Sequence, residues 1–193
     1  MDAIDTLESL SRVLQNPAKL ERAGGMAAEM IRSHIRAAPG WGPLAPATVA
    51  YRGAGKPLQD TGGLRDSITF TVVNNRTVSV GTNKPYARLQ DNGGVIRAKK
   101  NWLWIPGQGT RQLQRRYGYS PTAVLRGLKA DGFSVFRKGR TMCYRQKGGK
   151  KNKTKVAYYL KKSVEIPARP FFYLTEEETA LLMEEVGLEL EQL

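Results

Sequence analysis

The spacing of apolar residues changes along this chain, and those changes constrain its fold more than any other feature. Near the start, Ile4, Leu7, Leu10 and Leu14 recur at steps of three and four residues, which is typical of one face of an amphipathic helix. Further on, apolar and polar residues alternate, as in a strand with one buried face. Together these patterns predict an α+β fold with N-terminal helices, a mainly antiparallel sheet of hairpins carrying a long basic arm, and a C-terminal helix.

Capping residues indicate where the helices begin and end. Asn16-Pro17 predicts an N-cap and a second helix that ends before Pro39-Gly40, with Gly24-Gly25 marking a kink or a close packing contact. Its buried face is predicted to hold Leu20, Ala27, Ile31 and Ile35. Further helices are predicted from Pro85 to Gly93-Gly94, with Thr82-Asn83 as the cap, from Ser120-Pro121 to about Ala130, and from the Thr175/Glu178 capping box onward, burying Leu182, Val186 and Leu190.

The alternating segments predict the strands. Residues 68–72 and 78–80 form one expected hairpin around Asn74-Asn75, and residues 133–144 form another around Lys138-Gly139-Arg140. Strand pieces are expected at Ile96, Leu103 and Ile105 and over 156–166, ending at Pro167 and Pro170. Residues 41–57, rich in proline, glycine and small side chains, are expected to be irregular.

The length predicts one domain. A chain of 193 residues with 40% hydrophobic content supports one well-buried core, and two cores would both be small. We divide it into an N-terminal helical segment (1–40), a core hairpin and short helix (57–94), a basic extended arm or insertion (95–155), and a returning strand with an acidic helix (156–193).

The charge is concentrated in one region. The formal net charge is +14, but residues 97–162 hold 19 Lys and Arg against the single acid Asp131, while the rest holds 12 bases and 16 acids. Such a region attracts a polyanion or an acidic protein surface.

Catalytic and metal-binding patterns are weak. One cysteine, Cys143, and one histidine, His34, cannot supply a usual metal-ligand set or an internal disulfide. We expect His34 to be a helix-surface or packing residue and Cys143 to be a small buried one. Asp60-Thr61-Gly62 matches the aspartic-protease triplet, but no apolar strand precedes it. Asp60, Asp66 and Asp91 lack the further Lys and Glu of a nuclease site, and no phosphate-binding glycine loop occurs. We therefore predict a protein that is not an enzyme and has no cofactor.

Three phrases occur in a fixed order: PLQDTGGLRDSITF, VGTNKPYARLQDNGG and LKKSVEIPARPFFYLTEEE. With these, the chain resembles the Mu-like phage virion-morphogenesis or tail-completion family, and more distantly phage neck and head-tail joining proteins. The resemblance implies a structural subunit of a homo-oligomeric ring, acting as tail terminator or neck component at the head-proximal end of the tail. It also implies contact with tail-tube or neck/connector proteins, with assembly in the host cytoplasm and then a place in the virion.

The phrases supply the candidate site residues. An intersubunit or assembly role is predicted for Arg65, Arg169, Asp60, Asp66, Glu176, Glu177 and Glu178, with Arg169 expected to be exposed between two prolines. Fold-defining turns and core positions are predicted at Thr61, Gly62, Leu64, Gly81, Thr82, Asn83, Tyr86, Ala87, Gly93, Gly94, Pro167 and Pro170.

The basic region leaves three interpretations open. Its aromatic residues, from Trp102 to Tyr144, interleave with cations, and Lys150, Lys151, Lys153 and Lys155 are candidates for polyanion contact. In the first, the basic region is a solvated arm whose 148–155 loop is too polar to order itself. In the second, the arm binds acidic surfaces of neighbouring subunits. In the third, it contacts DNA in the lumen of the ring. A stand-alone nucleic-acid-binding protein is the alternative function. No segment is apolar enough for a membrane span, and we expect no membrane partner.

Overall fold

The computed structural model describes residues 16–147 and 153–187, which fold as two compact units. Of the described residues, the first unit holds 16–41, Pro57–Gly93 and 167–187; by sequence, the chain outside the second unit has 10 Lys and Arg against 15 Asp and Glu. The second holds Gly42–Lys56 and Gly94–Ile166, with 21 Lys and Arg against 2 acids. We call them the acidic unit and the basic unit. The helices and antiparallel sheets confirm the α+β class.

The acidic unit is built on one long helix, α1 (Pro17–Ala37). Asn16 caps it, since its side chain accepts a hydrogen bond from the Ala18 N–H at 3.1 Å, and Pro17 takes the first position where no N–H is needed. The predicted helix and its buried face are therefore confirmed. The earlier predicted helix, over residues 4–14, lies outside the described residues.

A two-stranded hairpin packs against α1. Strands β1 (Ile68–Asn74) and β2 (Thr77–Thr82) are antiparallel, with Phe70 opposite Val80 and Val72 opposite Val78, as predicted. Gly24 of α1 lies against the Phe70 ring and Val78, so close that a Cβ there would overlap both side chains. Of the glycine pair, Gly24 thus marks the predicted close packing contact.

Two further helices complete the acidic unit. Helix α3 (Ala87–Asn92) ends at Gly93, as predicted, and the φ of 69° lies in the region that favours glycine, but the ψ of −176° differs from the left-handed helical conformation that was expected. The C-terminal helix, α6 (Glu176–Val186), begins with the predicted capping box. Leu182 and Val186 of α6 are half-buried and not core residues, and Leu190 lies outside the described residues. The core consists of Ala28, Ile31, Ile35, Leu64, Ile68, Ala87 and Phe171.

The basic unit holds a four-stranded antiparallel sheet in the order β4-β7-β6-β5. These strands are β4 (Leu103–Pro106), β5 (Phe133–Lys138), β6 (Thr141–Gln146) and β7 (Lys155–Lys161). Helix α4 (Thr110–Tyr117) and helix α5 (Pro121–Ala130), capped by Ser120 as predicted, accompany it. Val124 and Leu128 of α5 pack with Tyr144, Ala157 and Tyr158 in its core. A second, two-stranded sheet pairs β3 (Gly94–Arg97) with β8 (Ser163–Ile166).

Three predictions of local structure were wrong. Residues 41–57 include helix α2 (Pro46–Arg52), because a proline at the first helical position begins a helix even in a composition typical of loops. The strand expected over 156–166 divides at Lys162 into β7 and β8, which join different sheets. Thr82-Asn83 does not cap α3, since its N-cap is Tyr86 and receives no side-chain hydrogen bond. Helix α4 had not been predicted.

The segment predicted as a basic arm or insertion contributes most of the basic unit. From Gly94 to Gln146 it supplies β3 to β6 and two helices, and of these β5, β6 and the helices share a buried core with β7. Of its 148–155 loop, residues 148–152 lie outside the described residues and Lys155 opens β7. Whether the two units fold as the predicted single domain stays a prediction.

Candidate assembly surface and basic groove

In the acidic unit, the second sequence phrase (residues 80–94) is hydrogen-bonded to the third (residues 160–178). The Arg169 N–H donates to the carbonyl oxygens of Gln90 and Asp91, at 2.9 and 3.2 Å. The Asp91 side chain accepts from the Phe171 and Phe172 N–H groups through one oxygen, at 2.8 and 3.0 Å. Because two backbone donors converge on one carboxylate oxygen, Asp91 fixes the extended segment against the end of α3. From the sequence, Asp91 was considered only as a possible metal ligand, and its role in holding this segment was not predicted.

His34 fastens the same segment to α1 and α6. Its ring is buried, with Nδ1 at 3.2 Å from the Phe171 carbonyl oxygen and Nε2 at 2.9 Å from Glu178 Oε1, and it stacks on Tyr173 with centroids 4.2 Å apart. A neutral imidazole donates from one nitrogen only, so both contacts are hydrogen bonds together only in the imidazolium form. The expected packing role is confirmed, but the acidic partner lies 144 residues away in sequence and was missed.

Glu178 has two internal partners. Its Oε2 accepts from the Thr175 N–H at 2.9 Å in the capping box, and its Oε1 faces His34. Burial raises the pKa of the Glu178 carboxyl, but the hydrogen bonds from Thr175 and His34 outweigh it, so the pKa lies below its ordinary value. Glu178 therefore has a structural role within one chain. Glu176 and Glu177 are exposed in the first turn of α6, and their predicted contact with a neighbouring copy stays a prediction.

The prediction that Arg169 is exposed was wrong. Its side chain is buried, although Pro167 and Pro170 on either side are exposed. The prolines do prevent a central strand, as expected, but the backbone between them is bound from within: Trp41 Nε1 donates to the Pro170 carbonyl at 3.1 Å. With both ends of the segment anchored, the side chain between them lies inside the unit and is a poor candidate for a contact with another subunit.

The first phrase forms a turn stabilised by its own charges. Arg65 Nε donates to Asp66 Oδ1 at 2.7 Å, and this hydrogen bond raises the pKa of the Arg65 guanidinium. Gly62 has the positive φ of 76° that was expected, and Leu64 is buried in the core. Thr61 and Asp60 are exposed at the start of the turn. The intersubunit roles predicted for Arg65, Asp66 and Asp60 stay predictions.

The turn before α3 combines confirmed and wrong predictions. Ala87 is buried as expected, but Tyr86 is 44% exposed and does not pack in the core. Thr82 accepts a hydrogen bond from the Lys84 N–H at 3.2 Å and bonds the Ser67 hydroxyl at 2.6 Å, which ties this turn to the first phrase. Gly81 is half-buried in β2, Asn83 is exposed, and Gly94 opens β3.

An exposed apolar run follows the anchored segment. Phe171 is buried in the core, whereas Phe172, Tyr173 and Leu174 are 40, 38 and 39% exposed. Leu181 on α6 is 50% exposed as well. We call Phe172, Tyr173, Leu174 and Leu181 the apolar patch. Exposed apolar side chains in consecutive positions mark a surface suited to contact with another protein.

The basic unit contains an open groove of about 850 Å³ between α4 and the ends of β5, β6 and β7. Four cations line it: Arg116, Arg145, Lys153 and Lys155. Its apolar and aromatic lining includes Leu113, Tyr117, Leu128, Phe133, Tyr144, Val156 and Tyr159. Two of the four predicted polyanion contacts, Lys153 and Lys155, thus lie together in this groove, and Lys150 and Lys151 lie outside the described residues.

One carboxylate lies beside the groove. Asp131 pairs with Arg116 at 2.5 Å and accepts from the Tyr117 hydroxyl at 2.6 Å, which raises the pKa of Tyr117. Desolvation raises the pKa of Tyr144. Among the described residues, no carboxylate lines the groove or pairs with Arg145, Lys153 or Lys155. The groove is therefore positively charged at its β6 and β7 side.

The described residues form two compact units that differ in charge, one with an exposed apolar patch and one with a cationic groove. Over residues 16–147 and 153–187, no helix is long and apolar enough to cross a membrane, and no three metal-ligating side chains cluster. The model of the phage virion morphogenesis family matches residues 3–122, and the chain belongs to that family. The match includes the first two phrases and ends before the third. No curated protein and no solved structure matches the chain.

Proposed function

We propose that this chain is a non-enzymatic structural subunit for phage tail completion or head-to-tail joining, acting in a ring at the head-proximal end of the tail. Family membership supports the role in virion morphogenesis. The observation that carries the finer proposal is the opposite charge of the two units in one chain. A chain with one acidic and one basic surface is complementary to its own copies in a head-to-tail arrangement, and such contacts close into rings.

The acidic contact surface is assigned to the start of α6. Glu176 and Glu177 are exposed there, and the apolar patch lies in the same chain segment. Carboxylates beside apolar side chains combine an attraction that orients the partner with area that is buried on contact. The basic unit of the next copy is the proposed acceptor. Tail-tube or neck/connector proteins are the proposed partners of the completed ring, which forms in the host cytoplasm before entering the virion.

The test is native mass spectrometry of the purified protein at low and high salt, with and without the major tail protein. We expect a ring at low salt that dissociates as salt screens its exposed contacts. The double variant Glu176→Gln/Glu177→Gln should weaken the ring. The matched control Glu21→Gln/Glu184→Gln removes two exposed carboxylates elsewhere in the acidic unit and should leave it intact.

A protein that stays monomeric at low salt and with the tail protein present contradicts the ring. Equal weakening in both double variants contradicts the assigned contact, because net charge alone then explains the effect. Phage complementation adds a functional measurement: the contact variant should accumulate unjoined heads and tails, and the control should give virions at the wild-type titre.

A further inference from the structure

We infer that the groove of the basic unit binds single-stranded nucleic acid without sequence preference. The inference concerns a site of the isolated subunit and goes beyond the proposed role in assembly. Its basis is the combination of a cationic wall, aromatic rings and amide side chains around one concave surface, which the strand order of the basic unit brings together.

The cationic wall comes from two neighbouring strands. Arg145 lies near the end of β6, Lys155 opens β7 opposite Tyr144 of β6, and Lys153 lies two residues before β7. All three cations are exposed. A row of cations without carboxylate partners attracts phosphates, and it releases counterions when a strand binds.

The aromatic lining favours unpaired bases. Tyr159 is 41% exposed in the groove, and Tyr117 and Phe133 line it as half-buried rings. Proteins that bind single strands pair a basic groove with aromatic side chains on which successive bases stack. In a duplex the base faces are already stacked on each other, so these rings have no base face to contact.

The remaining lining supports the same ligand. Gln108 and Gln112 lie on the groove surface, and each amide offers both donors and an acceptor to a base edge. The volume of about 850 Å³ lies within the usual range of about 300–1,000 Å³ for ligand sites. A groove of that size admits nucleotide units of a single strand, whereas the closed cylinder of a duplex touches only its rim.

The test measures fluorescence anisotropy of a labelled oligothymidine of about 20 nucleotides, and of a duplex of the same length, with the purified full chain. The groove variant is Arg145→Gln/Lys153→Gln/Lys155→Gln. The control variant, Lys99→Gln/Lys100→Gln/Lys129→Gln, removes three exposed cations of the same unit that do not line the groove. Circular dichroism and thermal melting establish that both variants are folded.

We expect the wild type to bind the single strand more tightly than the duplex. The groove variant should lose at least about tenfold in affinity, and the slope of log affinity against log salt should fall by about 2, for three lost phosphate contacts. Tyr159→Leu, which keeps an apolar side chain and removes the ring, should weaken binding about five- to hundredfold. The control triple variant should stay close to the wild type.

Three results overturn the inference. One is equal loss in the groove and control variants, which shows attraction by net charge alone. Another is duplex binding as tight as single-strand binding, which assigns the surface to double-stranded DNA. The last is a wild-type affinity for the single strand in both the Tyr159→Leu variant and the groove variant, when both are folded. None of these results bears on ring formation, which is measured without nucleic acid.

Discussion

The acidic and basic units share a construction, in which a helix packs on antiparallel strands, but they differ in charge and in what anchors them. By sequence, the chain outside the basic unit has 10 bases and 15 acids. In the acidic unit, side chains from distant parts of the sequence fasten the segment after Pro170: Asp91 and His34 both bind the backbone at Phe171. The basic unit has 21 bases and 2 acids by sequence and is organised by strand pairing, in a four-stranded and a two-stranded antiparallel sheet. In the acidic unit, the segment around Phe171 belongs to no sheet and is held by specific side-chain hydrogen bonds. In the basic unit, backbone hydrogen bonds between paired strands hold the chain without such side chains.

The acidic and basic units also differ in the side chains that they expose. The acidic unit presents apolar and acidic side chains, which suit contact with another protein. The basic unit presents a cationic groove, which suits a polyanion. Four predictions test the comparison, starting with the largest expected effect.

Phe171→Ala should destabilise the acidic unit most. Phe171 is 1% exposed in the core cluster of that unit, and truncating a buried phenylalanine costs about 3–5 kcal/mol. The control is Phe172→Ala, at a ring that is 40% exposed, and it should change the free energy of unfolding by less than about 1 kcal/mol. Urea denaturation provides the measurement. Similar losses of unfolding free energy in both variants would show that Phe171 is not buried in the core as described.

Replacing a helical glycine that lies against an aromatic ring with alanine should destabilise the protein in both units. A Cβ at Gly24 would overlap Phe70, and one at Gly127 would overlap the Tyr117 ring. Alanine is favoured over glycine in helices by about 1 kcal/mol, but overpacking costs about 1–3 kcal/mol, so a net loss of about 1–2 kcal/mol is expected at each position. Gly25→Ala is the control, because its nearest atom, Phe70 Cε1, would be 3.7 Å away, and it should stabilise the protein. Thermal melting distinguishes the signs, and stabilisation by Gly24→Ala contradicts the close contact.

The helix caps should contribute equally in the two units. Ser120 caps α5 and Thr175 caps α6 through side-chain hydrogen bonds to backbone N–H groups at 3.1 Å. Replacing either with alanine should cost about 1 kcal/mol, and Thr122→Ala, at an exposed helical position, should be nearly neutral. Urea denaturation of the three variants measures this. A neutral Thr175→Ala would show that the anchoring of the segment does not depend on the cap.

The smallest effect concerns pH. The pKa of Glu178 lies below its ordinary value of 4.5, so the folded state favours the ionised carboxylate. Its contribution is present above about pH 4.5 and is lost as pH falls through the lower, folded-state pKa. Glu178→Gln retains a capping-box side chain and removes the charge. The stability difference between wild type and variant, below about 1 kcal/mol at pH 7, should therefore shrink as pH falls below 4.5, and a constant difference contradicts the assignment.

Local sequence signals were sufficient to predict an element where its stabilising interaction lies within a few residues. Asn16-Pro17, Ser120-Pro121 and the Thr175/Glu178 box all begin helices as predicted, because a cap satisfies N–H groups two or three residues away. The hairpin at 68–82 followed from alternation, since side chains on a strand point to opposite faces in turn. The ordered phrases likewise identified the family from the sequence.

Only the tertiary structure decided which distant residues meet. Arg169 is buried because the backbone around it is bound by Gln90, Asp91 and Trp41, and no signal near residue 169 reports those partners. The basic region forms a sheet and a groove because β7, beyond the loop, returns beside β6 and β4, and charge patterning carries no information on that pairing. The sequence by itself determined the caps, the alternation, the α+β class and the family. The buried contacts of Arg169, Asp91 and His34 depend on long-range packing, whose free energy comes from residues far apart in the chain.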